Sequence, residues 1–318
     1  IFCTNLDEFF MVRVGSITDL SIIAPEEREN KSNMTPVEQL DAIFAAVKPL
    51  IKERDEIYAQ VTKDLKKYGF KEVDMVATPK KQRKFARDYY RDFIRPVLSP
   101  QVVDERHPFP HLKNKELYVV TVLSEEDGSQ HLGIVPVPEN ISPIIVDPDN
   151  PLRFVRAEKL IAYYIHKIFD IYEVSEPSII AVTRNADISF DEEKFSDDEG
   201  DYRLHVSRLL KKRNRLNPVR LEIEGKADKA LINPLLKRLK LTKKQAFTME
   251  APINLGWVFG LEKRLDAGQK VALCYPPFVP RASEEFNLNE SIFEQAKERD
   301  RILFSPYASM DPFLRMLP

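Results

Sequence analysis

The stretch Leu117-Tyr118-Val119-Val120-Thr121-Val122-Leu123 decides the fold of the centre of this chain. Its β-branched and aromatic residues are the types most enriched in strands. Two further short apolar runs follow it, Leu132–Val137 and Pro143–Val146, and polar or turn-forming residues separate them. The sequence therefore predicts three consecutive strands.

Beyond these runs, helical and strand patterns alternate. A helical pattern opens at Phe154 and continues to Ile168, and polar and apolar residues alternate in the run Val219–Ile223, as expected of a strand with two different faces. The further predicted elements are a strand over 178–183 and helices over 201–213 and 227–240. This pattern predicts an α+β domain over residues 106–280.

The preceding part of the chain, residues 1–105, has the spacing of amphipathic helices. Thr35-Pro36-Val37-Glu38 forms a capping box, in which the Thr hydroxyl and the Glu carboxylate each accept a hydrogen bond from a backbone amide at the helix start. The helix that begins there is expected to kink at Pro49 and to end at Gly69. With a first helix near the N-terminus and a third over 78–95, the sequence predicts an N-terminal α-helical bundle.

A proline-rich hinge, Pro276–Pro280, separates a third part, residues 281–318. It is predicted to hold a helix over 290–298, a short strand Arg301–Phe304 and a helix near 310, which are too few elements to bury a core. Because the chain begins at Ile1 and stops within an amphipathic pattern, we expect it to be a piece of a longer protein.

The composition excludes several classes of protein. Of the 318 residues 31% are charged, and no apolar run approaches the ~18 residues of a membrane span. The 48 basic and 50 acidic residues nearly cancel, so the overall charge gives no attraction to a polyanion. The only two cysteines, Cys3 and Cys274, lie too far apart in sequence for a zinc cluster, and they suit the cytoplasm.

Local chemistry is sparse. None of the five histidines (His107, His111, His131, His166 and His205) has neighbours that assign it a catalytic role, and no glycine-rich phosphate loop is present. Three basic runs remain, over 80–95, 203–215 and 237–244, with an acidic segment over 187–201. These runs either form a cationic surface for phosphate groups or are solvated helix faces that the acidic segment neutralises. Aromatic residues interleave only the first run, which argues against a dedicated nucleic-acid binder, so binding to structured RNA is the weakest interpretation.

The first fourteen residues carry a more specific signal. Within Ile1–Val14, the string Asn5–Phe9 resembles the Asn-Leu-Asp-Glu-Phe signature near the start of bacterial polyphosphate kinases. Further stretches resemble that family in the same order, namely Val182–Asp187, Pro218–Glu222, Tyr275–Pro280 and Arg301–Pro312. The resemblance covers the whole chain.

The resemblance implies a reversible transfer of the terminal phosphate of ATP to inorganic polyphosphate, through a phosphohistidine and with Mg²⁺. It also implies a multidomain fold. The N-terminal helical domain, residues 1–105, is followed by an α+β head domain, residues 106–280, that contributes to dimerisation. Residues 281–318 would be the truncated start of a phospholipase D-like α/β catalytic domain. None of the five histidines matches the phosphorylated one, so the catalytic residues and the Mg²⁺ ligands are expected beyond residue 318, and the chain alone is expected to be inactive.

One binding residue follows from the resemblance. The family's Asn in this string contacts the adenine of ATP, and Asn5 matches it; the alternative is that Asn5 hydrogen-bonds its own helix. Arg13 lies two turns further on and could reach phosphate or an acidic neighbour.

The implied partners are inorganic polyphosphate, ATP and ADP, and further copies of the chain in a homodimer or higher homo-oligomer. The implied location is the cytoplasm, with peripheral membrane association left open. The competing hypothesis is a non-catalytic polyanion-binding or dimerisation module in which the basic runs are the function.

Overall fold

A computed structural model of the chain describes residues 1–104, 107–186, 217–226, 228–283, 285–287 and 289–316. The predicted helix over 201–213, the basic run 203–215 with His205, and the acidic segment 187–201 lie outside these residues. The chain divides into two compact units, Ile1–Arg264 and Leu265–Pro318. In the described part of the chain, no helix combines the length and the apolar character that crossing a membrane requires.

Helices dominate the start of the first unit. Helix α1 (Phe2–Phe9) continues through a π-helical turn, Phe10–Val14, into α2 (Gly15–Ile23). Helix α3 (Pro36–Lys66) begins at the predicted capping box, in which the amide of Glu38 donates to Thr35 Oγ1 over 3.3 Å and the amide of Thr35 donates to Glu38 Oε2 over 2.8 Å. The helix continues through Pro49 and ends three residues before Gly69. The third predicted helix is shorter than expected: α4 covers Lys84–Tyr89, followed by a π-helical turn to Ile94.

Two sheets follow. The described strands are β1 (Lys71–Glu72), β2 (Gln101–Val103), β3 (Leu117–Ser124), β4 (Gln130–Pro136), β5 (Ile144–Asp147), β6 (Asn150–Arg156), β7 (Glu173–Val174), β8 (Ser178–Arg184), β9 (Pro218–Glu224) and β10 (Ala246–Met249). The larger sheet has the order β10-β9-β8-β3-β4-β2, with β7 also paired to β3, and only its β10–β9 pair is parallel. The smaller sheet has the order β1-β6-β5.

The larger sheet has helices on both faces. Successive side chains of each strand point to opposite faces, so each face has its own set of packed residues. On β9, Leu221 and Ile223 pack against the helix α7 (Lys229–Leu239), whereas Arg220 and Glu222 lie on the opposite face with Phe10 and the N-terminal helices. The rings of Phe10, Phe44 and Phe247, from the π-helical turn, α3 and β10, contact one another in a second core. The prediction of N-terminal helices followed by a mixed α+β region is confirmed, and the helices share a core with the sheet. The domain boundaries at residues 105 and 280 stay predictions.

One predicted helix starts too early. The pattern from Phe154 predicts a helix, but Asn150–Arg156 is strand β6, and helices α5 (Ala157–Tyr163) and α6 (Ile165–Ile168) follow it. Phe154 pairs with Val146 on β5 and with Glu72 on β1. Pairing on both sides outweighs the local helical spacing, because tertiary context overrides propensity.

A buried ionic cluster connects the two sheets. Arg156 on β6 donates to Glu72 Oε1 over 2.8 Å, to Glu158 Oε1 over 3.0 Å and to Glu224 Oε1 over 2.8 Å. Lys159 also pairs with Glu224 Oε1, at 3.0 Å. We call these five residues the Arg156 network.

The second unit contains the helices α8 (Ala267–Leu273), α9 (Ile292–Glu298) and α10 (Asp311–Met316). Buried Gln295 organises it, because its amide nitrogen donates to the carbonyls of Asn287 and Glu290 over 2.8 and 3.1 Å. The predicted strand over 301–304 is wrong, because those residues adopt no regular structure. In the described part of this unit the strand-like pairing is one bridge, between Arg281 and Ala308.

Candidate functional site at the N-terminal helix

Asn5 lies on the solvent-facing side of α1. Its backbone amide donates to the Ile1 carbonyl over 2.9 Å, and within the described residues its side-chain amide has no hydrogen-bond partner. Exposed apolar side chains flank it at helical spacing: Phe2 and Phe9 are each 39% exposed and Val12 is 44% exposed. The helix therefore presents a free amide within an apolar surface.

Arg13, the second predicted residue, is also exposed, in the π-helical turn after α1. Its charge contributes to the lowered pKa of Glu29, although hydrogen bonds from the amide and hydroxyl of Ser32 are the larger causes. Both alternatives for Arg13, a phosphate or an acidic neighbour, stay predictions.

A closed set of ion pairs lies beneath α1. Lys115 Nζ is 2.8 Å from Asp7 Oδ1 and 2.8 Å from Glu222 Oε2. Arg220 Nη2 pairs with the same Asp7 oxygen and lies 3.0 Å from Glu222 Oε2. Each carboxylate thus contacts both cations. We call these four residues the ion-pair ring.

The local structure explains why the ring forms there. Alternation along β9 points Arg220 and Glu222 toward α1, and the Arg220 guanidinium donates to Thr183 Oγ1 from Nε over 3.1 Å and from Nη2 over 2.9 Å. The guanidinium carbon lies 4.4 Å from the centre of the Phe10 ring, a cation–π contact. The Arg220 side chain is 1% exposed, so the ring is anchored in the core at one end.

Lys115 approaches the ring from a strained backbone. It has a φ of 62°, in the left-handed region that favours glycine, and its amide donates to the Val182 carbonyl over 2.9 Å. Such a conformation costs on the order of 1 kcal/mol in a residue with a Cβ, and strained residues cluster at functional sites. From this backbone the ammonium group reaches both carboxylates of the ion-pair ring.

The turn after β8 holds the other end of the same helical segment. The amide of Ala186 donates to the Met11 carbonyl over 2.8 Å, and Asn185 Nδ2 donates to Asp19 Oδ2 over 2.6 Å. Gly15 makes this approach possible, because a Cβ at that position would overlap the Asn185 amide. The structure therefore brings together three stretches that are separate in sequence, residues 5–9, 182–186 and 218–222.

A cavity of about 1020 Å³ lies beside α1 within the first unit. Asp7 and Lys115 of the ion-pair ring contribute to its wall, together with Arg54 and mostly apolar side chains from α3 and from residues 253–259. Asn5 does not line this cavity. Phe2 and Val12, which flank Asn5, do line it, so the exposed surface around Asn5 adjoins the cavity along this helical segment.

The described histidines and acidic residues form no metal site. His107 pairs with Asp104 at 3.0 Å, and His131 pairs with Glu125 at 3.0 Å. Among the residues that the structure describes, no group of three or more potential metal ligands comes together.

The basic runs differ in how far they are neutralised. In the run 80–95, Arg87 and Arg91 pair with neighbouring aspartates, and Arg83 donates to the Tyr163 hydroxyl over 2.7 Å. In the run 237–244, Lys244 pairs with Asp41 at 2.7 Å. The other cations of that run are exposed and form no ion pair within the described ranges: Lys237, Arg238, Lys240 and Lys243.

Comparison with known proteins gives two family matches within the first unit. Residues 1–73 match the family model of the polyphosphate kinase N-terminal domain, and residues 81–261 match that of the polyphosphate kinase middle domain. The chain belongs to the polyphosphate kinase family. Among curated members of the family, the chain is 34% identical to the polyphosphate kinase of Bacillus cereus, over 98% of the chain and 45% of that protein. It is 31% identical to that of Exiguobacterium sibiricum, over 100% of the chain and 44% of that protein.

A solved member of the family shares the fold. The crystal structure of polyphosphate kinase from Porphyromonas gingivalis superposes with a TM-score of 0.67 at 17% identity, over 99% of this chain and 43% of that one. The chain thus spans less than half the length of these relatives. The family models place its residues in the N-terminal and middle domains.

The resemblance singled out Asn5, whose role stays a prediction, and sequence reasoning did not predict the ring around Asp7. The resemblance assigned no partner to Asp7, which is two residues from Asn5, and Lys115 and Arg220 gave no family signal. One signal was present, since Arg220 and Glu222 alternate with apolar residues in a strand that is otherwise core. A charged residue on a buried strand requires a charged partner, and that partner was a residue of α1.

Proposed function

We propose that this chain is the N-terminal part of a polyphosphate kinase that reversibly transfers the terminal phosphate of ATP to inorganic polyphosphate. The observation that carries the proposal is the match to both family domains over nearly the whole first unit. In this proposal the phosphohistidine and the Mg²⁺ ligands lie beyond residue 318. The proposal assigns the residues of this chain no part in the phosphoryl transfer itself.

The part assigned to this chain is to bind the adenine of ATP through Asn5. A side-chain amide offers one donor group and one acceptor, which suits the edge of a purine. The apolar side chains Phe2, Phe9 and Val12 around it can cover the face of the base. Adenine binding supplies energy remote from the reacting phosphate and so helps to position it.

Replacing Asn5 tests this role in the full-length protein. Asn5→Ala is expected to raise the KM for ATP about tenfold, as loss of about 1.4 kcal/mol of binding would do, and to leave the affinity for preformed polyphosphate unchanged. Asn30→Ala, at another exposed asparagine, is the matched control and should have no effect. Equal losses for ATP and polyphosphate would indicate a folding defect and would contradict the assignment.

Further parts of the proposal concern the chain as a unit. Residues 1–318 alone are proposed to be inactive, so ATP-dependent polyphosphate synthesis by this piece would contradict it. The full-length protein is proposed to be a homodimer or a higher homo-oligomer, to which residues 106–280 contribute, and to reside in the cytoplasm. Sedimentation of full-length protein over a range of concentrations tests the oligomer. The proposal that residues 281–318 begin a phospholipase D-like domain is tested by an experimental structure of the full-length protein.

A second candidate function is polyanion binding by the basic run 237–244. The four exposed cations without ion pairs in the described ranges favour it. Titration of the chain with polyphosphate at several salt concentrations tests it, since binding that depends steeply on salt and shows no preference for adenine is expected of such a surface. Substituting Lys237, Arg238, Lys240 and Lys243 by Gln should then reduce both the affinity and the salt slope.

A further inference from the structure

The helix that carries Asn5 has little means of holding its own position. Helix α1 is the first part of a longer helical segment, and the fully buried side chains of the adjoining π-helical turn, Phe10 and Val14, hold only its C-terminal end. None of the eight residues of α1 itself is buried. Its orientation must therefore be set by contacts with the rest of the first unit.

The ion-pair ring contacts α1 through Asp7 and can therefore fix its orientation. Asp7 is two residues from Asn5, and at about 100° per residue the two side chains point in nearly opposite directions from the helix axis. Asp7 contacts Lys115 and Arg220 on the sheet side, while Asn5 is exposed. Fixing Asp7 to the sheet therefore fixes the rotation that directs the Asn5 amide outward.

Two members of the ring differ in what they contribute. Arg220 is in the core, against Phe10 and Thr183, and holds its place whether or not α1 is well oriented. Lys115 is 25% exposed, lies in the wall of the cavity and has the left-handed backbone. Strain retained at a residue whose ammonium group reaches both carboxylates of the ring indicates that this contact has a role beyond folding.

We propose that Asp7 and Lys115 are positioning residues, which orient α1 so that Asn5 can bind the nucleotide base. This inference rests on the proposed adenine-binding role of Asn5 and adds the residues through which that role depends on the sheet. Neither Asp7 nor Lys115 needs to touch the nucleotide.

The test uses the full-length protein and steady-state polyphosphate synthesis. Lys115→Met and Asp7→Asn are each expected to raise the KM for ATP about tenfold, with kcat at saturating ATP nearly unchanged. A tenfold rise corresponds to losing about 1.4 kcal/mol of binding, the amount that the proposal assigns to the Asn5 amide. Lys115→Arg keeps the cation and should restore the KM.

The double variant Asn5→Ala with Lys115→Met separates positioning from general damage. If Lys115 acts through Asn5, the two changes are not additive, and the KM of the double variant should be close to that of Asn5→Ala alone. A multiplied effect, about a hundredfold, would overturn the inference.

The matched control is Arg156→Met, which disrupts a buried ionic cluster of similar kind that does not contact α1. It should lower the melting temperature at least as much as Lys115→Met and leave the KM for ATP unchanged. If Asn5→Ala has no effect on the KM, the proposed function fails, and this inference fails with it. If Asn5→Ala raises the KM but Lys115→Met does not, only the inference is overturned.

Discussion

The ion-pair ring and the Arg156 network both include residues of strand β9, and they differ in charge balance and in the elements that they connect. β9 contributes Arg220 and Glu222 to the ring and Glu224 to the network. The ring pairs two cations with two carboxylates. In the network three carboxylates contact Arg156, and Lys159 supplies a second cation. The network connects the two sheets, whereas the ring connects the larger sheet to a surface helix.

This difference is visible in the protonation of the network. Burial raises the pKa of Glu158, and the nearby guanidinium of Arg156 offsets only part of the effect. Burial also opposes the ionisation of Glu224, but Arg156 and Lys159 together outweigh it and hold the pKa of that carboxyl below its ordinary value. The network thus stabilises the ionised form of Glu224 and destabilises the ionised form of Glu158, although both side chains are buried. The contribution of each carboxylate to stability therefore depends on how many cations contact it as well as on its burial.

The largest expected effect is that of Arg156→Met. It leaves Glu158 and Glu224, which are 6% and 2% exposed, without their guanidinium partner. Removing one partner of a buried pair costs about 3–5 kcal/mol, because the remaining charge is uncompensated. Chemical unfolding of wild type and variant measures it. A smaller loss of unfolding free energy than in Arg220→Met would contradict the view that the network stabilises the fold more than the ring does.

Arg220→Met is expected to cost less, about 3 kcal/mol, because Lys115 still contacts both Asp7 and Glu222. Adding Asp7→Asn to this variant removes the surplus negative charge and should recover part of the stability. The same unfolding experiment checks both changes. If Asp7→Asn makes the Arg220→Met variant still less stable, charge balance is not what the ring supplies.

How much of this could be predicted depends on the distance between interacting residues. The capping box at Thr35, the strand Leu117–Ser124 and the alternation in β9 follow from residues within one element, and the sequence predicted all three. The strand at Phe154 was predicted as a helix, because its pairing partners on β1 and β5 are not visible in its own pattern.

The candidate site shows the same limit. The prediction for Asn5 rests on a resemblance carried by five adjacent residues, whereas Asp7 pairs with residues 108 and 213 positions away. No local periodicity encodes such a contact. The sequence could have predicted that Arg220 and Glu222, if buried on a strand, require charged partners. It could not have predicted which residues those partners are.

The two glutamates of the Arg156 network should respond oppositely to pH. Glu224 has a lowered pKa in the fold, so its stabilisation is present above the ordinary value of 4.5 and is lost as the pH falls through the folded pKa. Glu158 has a raised pKa, so its contribution is present below 4.5 and is lost as the pH rises through the folded pKa. At neutral pH, Glu224→Gln is therefore expected to cost about 2 kcal/mol and Glu158→Gln to be neutral or to stabilise by up to about 1 kcal/mol.

Melting temperatures of both variants between about pH 4 and pH 8 test this contrast. The difference between each variant and wild type should grow toward neutral pH, with opposite signs for the two glutamates. Differences that do not change with pH would show that the substituted amides act through packing and not through charge.

The smallest expected loss of stability is that of Thr35→Ala, which serves as a control without a change of charge. Thr35→Ala removes the hydroxyl that caps α3, far from both ionic clusters in sequence and without a change of charge, and should cost about 1 kcal/mol. Helix α3 lines the cavity through Arg54 and packs Phe44 against Phe10, so this variant loosens the helical layer without altering the ion-pair ring. The full-length variant should melt at a lower temperature and keep the wild-type KM for ATP. If instead the KM rises as it does in Lys115→Met, any loosening of the helical layer would suffice, and the ring would have no special part in orienting α1.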